Sequence, residues 1–205
     1  MQGLGISFAF LIILVLCALD VILGVKAIQK RTKLGRAFAL TSFMVALASV
    51  AHCLRHVMPN DFAYSMASSV YFVCMNFMLF YVLMFIHFYT HGEQAVHGRK
   101  RFIVLFVILC IDSLIVLINP FFDIVLTFTP VENGNFYESH VLYYLHLTIS
   151  YFMVFSSLLF LLVKMAGSPK GYKRQYMYAG GAILIIMAVN LIFRTLPSLD
   201  KYNYA

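Results

Sequence analysis

Six long apolar runs, separated by short stretches of charge and turn-forming residues, decide what this chain can fold into. They cover residues 6–28, 37–57, 62–88, 102–118, 141–165 and 175–196. Each is close to the roughly 20 residues that a helix needs to cross hydrocarbon. Lipid offers no partner to open backbone groups, so the runs are read as helices. A membrane barrel would instead show alternating stretches of about 10 residues. The expected fold is therefore all-α: a polytopic bundle of six transmembrane helices, with residues 1–205 forming one transmembrane domain. Of these residues 62% are hydrophobic and 11% charged, which excludes a water-soluble monomer and leaves no room for a soluble enzyme domain.

The formal charge is +7, but the cations lie between the apolar runs, so they point to a membrane surface and not to nucleic acid. Twelve of the fifteen lysines and arginines fall in three places: Lys26 to Arg36, Arg99 to Arg101, and Lys164 to Arg174. Lys and Arg near a membrane are retained on the cytoplasmic side. Asp61, Asp123, Glu132, Glu138 and Asp200 gather toward the opposite side. The amino terminus is thus expected outside, and the first helix reads as an uncleaved anchor because it has no basic region before it. Six helices would also leave the carboxyl end outside, and that parity suggests a further helix leading to the cytoplasm. The sequence has no Trp, so the interfacial belt falls to tyrosines near the segment ends.

Polar side chains within the apolar runs carry the functional reading, because each needs a partner or water. His52, Arg55 and His56 share one face near the outer end of the second helix. Tyr71, Phe72 and Asn76 lie on the third helix, along with Ser65 and Ser69. Tyr143, His146 and Tyr151 occupy the outer half of the fifth, and Asn190 and Arg194 sit four apart on the sixth. At similar depth these residues suggest an outward-facing pocket. Arg55 and Arg194 would meet an anionic group such as a carboxylate while the aromatic rings bury an apolar body.

Asp20 and Asp112 lie deeper, in the first and fourth helices. They support a competing reading as a small ion- or proton-coupled transporter or channel subunit. No interrupted helix with an inverted copy accompanies them. The four cysteines sit singly in four helices, without metal-binding spacing. His52, His56 and His146 cluster near one surface and do not form the stacked axial pairs that haem would need. Phosphate loops, nucleophile elbows and paired catalytic carboxylates are missing. No catalytic residue, metal or cofactor is expected in this segment.

The stretch KLGRAFAL from Lys33 to Leu40, the corner NPFF beginning at Asn119, and YLHLTISY from Tyr144 to Tyr151 together resemble the seven-helix sensor region at the amino terminus of bacterial histidine kinases. So does YKRQY from Tyr172, followed by NLIF from Asn190. The versions it is most similar to precede diguanylate cyclase (GGDEF) modules. The resemblance spans residues 6 to 200, in order. It departs at Ala48 to His52, where the family often carries Trp.

The resemblance implies a seventh helix and a cytoplasmic output module, a cyclase or a kinase, beyond this segment. It also implies a homodimer formed through that module. The expected function is a receptor domain in the bacterial cytoplasmic membrane. It would bind an extracytoplasmic small molecule and pass a change in helix packing inward, with membrane lipid as its surroundings.

Overall fold

A computed structural model describes residues 2–58, 60–92, 99–131 and 134–195. Its helices are α1 (Gln2–Gln29), α2 (Lys33–Val57), α3 (Asp61–His91), α4 (Arg99–Phe122), α5 (Val141–Ala166) and α6 (Lys170–Thr195). A two-stranded hairpin, β1 (Leu126–Val131) and β2 (Gly134–Ser139), lies between α4 and α5. Among the described residues, α1 to α5 each hold a span long and apolar enough to cross a membrane. α2, α4 and α6 begin several residues before their apolar runs do. The flanking lysines and arginines are good helix formers, and a helix can continue into water beyond the hydrocarbon.

Polar side chains set where helices start. Thr32 Oγ1 accepts from Gly35 N at 2.9 Å and Asn60 Oδ1 accepts from Ala63 N at 2.8 Å, each satisfying one of the free amides of a first turn. Close approach is built into the α1–α2 corner: a Cβ on Gly35 would lie 2.6 Å from the Ala27 carbonyl oxygen. Higher on the same pair, a Cβ on Gly24 would lie 2.7 Å from the Phe43 ring. At Gly35, where the neighbour is backbone, only glycine lets the two chains come this near.

α3 is the central element and packs against α2, α4 and α5, while α1 packs on α2 and α6 on α5. The interior is stacked in layers along the bundle. A middle core joins Phe80 and Leu83 of α3 to Leu109 of α4 and Met153 of α5. Toward the cation-rich end, Ile86 packs with Leu161 and Tyr176. Toward the other end, Val116 and Tyr143 pack with Val125 and Leu126 at the root of the hairpin. Outward-facing apolar side chains such as Leu14, Val104 and Phe155 are left for lipid.

The hairpin is a regular element in the stretch between the fourth and fifth apolar runs, to which no element is assigned from sequence. Its antiparallel register runs from Leu126 opposite Ser139 to Val131 opposite Gly134. Asn119 holds its root. The Asn119 Oδ1 accepts from Val125 N at 2.7 Å and Leu126 N at 3.0 Å, and its Nδ2 donates to Leu126 O at 2.8 Å. These bonds satisfy backbone groups that strand pairing does not reach.

Candidate functional site

Between the middle core and the hairpin, helices α3, α4 and α5 each contribute a buried polar side chain to one cluster. His146 Nδ1 lies 2.8 Å from Asp112 Oδ2, and Asn76 Nδ2 donates to the same oxygen at 2.9 Å. The Ser150 hydroxyl completes the set by donating to Asn76 Oδ1. Asn76, Asp112 and His146 are all buried. A carboxylate accepts only, so the arrangement that satisfies Asp112 places a proton on His146 Nδ1 and converges two donors on one oxygen. Asn76 Nδ2 also lies 3.1 Å from His146 Nδ1, a contact that is not a hydrogen bond when both atoms donate.

Above this cluster is a cavity of about 10 Å3, room for about one water molecule. Ser68, Ser69 and Phe72 line it from α3, Asn119 from α4, Leu126 from the hairpin and His146 from α5. The Ser68 hydroxyl is buried and has no hydrogen-bond partner among the described residues.

A second group sits on α2 and the adjoining part of α3. An Arg55 guanidinium nitrogen lies 3.1 Å from His52 Nδ1, and its carbon lies 5.6 Å from the Tyr71 ring centroid and 5.8 Å from that of Tyr64. Such placement over ring faces is attractive for a cation. Among the described residues Arg55 Nε is buried without a hydrogen-bond partner and Arg55 makes no ion pair. Rings join the two groups. His52 contacts Tyr71 at 5.6 Å, Tyr71 contacts Phe72 at 5.7 Å, and Phe72 meets His146 edge-on at 5.7 Å. Tyr143 also packs edge-on against Phe72.

Of the residues expected in the pocket, the structure thus brings together His52, Arg55, Tyr71, Phe72, Asn76, Tyr143 and His146. Tyr151 is half-buried on α5 and makes no ring contact or hydrogen bond among the described residues. The side chains of His56, Asn190 and Arg194 lie outside the described residues. The pocket is also closed more tightly than an outward-open vestibule.

Asp112, read from sequence as a possible ion site, belongs to this same cluster and has His146 and Asn76 as partners. Asp20 is half-buried on α1 and makes no hydrogen bond or ion pair among the described residues. No group of three His, Cys, Asp or Glu side chains able to hold a metal ion occurs among the described residues. Sequence reasoning missed the clasp made by Asn119 and the hairpin. Its signals were the alternation of Leu126, Thr127, Phe128 and Thr129, followed by an Asn-Gly pair at Asn133 and Gly134.

The model of one protein family, described as the N-terminal 7TM region of histidine kinase, matches residues 6–204. No curated protein and no solved structure matches. The match covers nearly the whole chain and agrees with a multi-pass bundle, identifying a non-catalytic membrane sensor region and not favouring a transporter. The chain belongs to the family of N-terminal seven-transmembrane regions of histidine kinases.

Proposed function

We propose that this sensor region recognises an extracytoplasmic small molecule bearing a carboxylate, and that binding is coupled to movement of the hairpin and the outer helix ends. The observation that carries the reading is the ring path from Arg55 through Tyr71 and Phe72 to the buried Asp112–His146 pair. Arg55, which makes no ion pair among the described residues, offers a cation at one end of that path. The cavity at the other end holds little more than one water. Any larger ligand must part the hairpin from α3 and α5, so ligand entry and helix displacement are one event. A ligand shifts the packing only by its differential affinity for the opened arrangement.

Arg194 is proposed as a second cation for the same ligand, and the output partner as a cyclase or kinase module acting as a dimer. The test is a thermal-shift screen of the chain in lipid nanodiscs against small mono- and dicarboxylates and amino acids. At least one carboxylate should raise the wild-type melting temperature in a concentration-dependent way, and Arg55→Gln should abolish the rise. An unchanged response in both Arg55→Gln and Arg194→Gln would remove the anion site.

A further inference from the structure

At the cation-rich end, the α5–α6 elbow and the end of α3 border an open groove, separate from the site above, of about 620 Å3. This is within the ~300–1,000 Å3 typical of ligand pockets. Its wall has two parts. Leu159, Phe160 and Val163 form an apolar side on the membrane-spanning part of α5, while Lys164, Ser168 and Tyr172 form a polar rim.

The rim is built from fixed parts. Ser168 Oγ donates to Lys164 O at 2.7 Å, and Pro169 O accepts from Tyr172 N and Lys173 N. Tyr89 OH donates to Gln175 Oε1 at 3.0 Å, which ties α6 to α3 beside the pocket.

Charge selects the occupant. Lys164 makes no ion pair among the described residues, and Lys170, Lys173 and Arg174 follow within the next turns of chain. No acidic residue occurs anywhere in the sequence between Glu138 and Asp200. The pocket therefore joins a cation that has no acidic partner among the described residues to an apolar wall at hydrocarbon depth. A free anion would leave that wall unfilled, and an apolar helix would leave Lys164 unpaired.

We propose that this pocket binds an anionic phospholipid of the inner leaflet, its phosphate at Lys164 and the start of an acyl chain along Leu159 and Val163. Such a lipid bridges α5 and α6 at the elbow, where basic pockets between helices suit anionic head groups.

The sequence contains no tryptophan, so Tyr172→Trp supplies a single fluorescent reporter at the rim. The chain carrying it is placed in nanodiscs of fixed total lipid that contain brominated phosphatidylglycerol or brominated phosphatidylcholine. The expected result is an apparent affinity about five-fold higher for phosphatidylglycerol, the effect of one cation near an anionic surface. Lys164→Gln should erase the preference and Lys164→Arg should restore it. Ten-fold molar excess of inorganic phosphate over the brominated lipid, on the order of millimolar, should leave it in place.

Equal quenching by the two lipids overturns the proposal, as does a preference untouched by Lys164→Gln. Displacement by phosphate overturns it in favour of a soluble anion. If Tyr172→Trp fails to fold, native mass spectrometry of the unlabelled chain from mixed-lipid micelles reads the same preference. Retention of phosphatidylglycerol that Lys164→Gln removes supports the proposal, and indifferent retention ends it.

Discussion

The imidazole of His146 on α5 and the carboxyl of Asp112 on α4 meet at 2.8 Å in the buried interior, and both are reached by Asn76 of α3. Three successive helices are thereby tied together at one depth. Removing one partner of a buried polar pair is costly because the other is stranded. Asp112→Ala should therefore destabilise the bundle by about 2–4 kcal/mol. In a double-mutant cycle with His146→Ala the coupling should be about 1 kcal/mol or more. Unfolding by denaturing detergent in mixed micelles measures both, and additive losses would show that the contact contributes nothing.

Asn119 is expected to control the hairpin more than the bundle. Asn119→Ala strands the amides of Val125 and Leu126 and the carbonyl of Leu126. The local cost is about 1–3 kcal/mol. Hydrogen exchange should rise by one to two orders of magnitude across β1 and β2, about what 1–3 kcal/mol of lost local stability allows. It should stay unchanged in the α3–α4–α5 core around Phe80, Leu109 and Met153.

The two glycines of the α1–α2 pair should respond differently to alanine. At Gly35 the new Cβ meets a backbone carbonyl oxygen at 2.6 Å and the capping Thr32 Oγ1 at 2.9 Å. At Gly24 the nearest atoms all belong to the ring of Phe43, which can shift. Gly35→Ala should cost about 1–3 kcal/mol of stability, and Gly24→Ala less. Melting temperatures of the two variants in nanodiscs check the order, and a reversed order would contradict the corner geometry.

The charge distribution predicts that the hairpin end faces outward, and thiol labelling tests it. In a background without Cys17, Cys53, Cys74 and Cys110, Glu138→Cys and Lys170→Cys place single thiols at exposed positions on opposite ends. A membrane-impermeant maleimide added to intact cells should label the first and spare the second. The reverse pattern would place the polar cluster on the cytoplasmic side.

Much of this architecture was legible because hydrocarbon imposes a simple rule: an apolar run long enough to cross must close its own hydrogen bonds. The grouping of His52 with Arg55, and of Tyr71, Phe72 and Asn76, followed from helical spacing within one segment. Pairing between segments did not. Asp112 looked like a lone carboxyl because nothing local indicates that α4 turns it toward His146, 34 positions away. The hairpin escaped notice because its strands are short and lie between two far stronger helical signals. Asn119 read as a corner residue, and its three bonds depend on where the chain returns after Asp123.

An outer carboxylate is expected to open the hairpin. Spin labels on Glu138→Cys and Asp61→Cys, in the cysteine-free chain in nanodiscs, report the separation of β2 from the start of α3. With the panel of mono- and dicarboxylates added one at a time, at least one compound should lengthen that distance by several ångströms in the wild-type site and leave it fixed in Arg55→Gln. A distance that no compound moves, or one that moves equally without Arg55, would contradict the coupling of anion recognition to helix displacement.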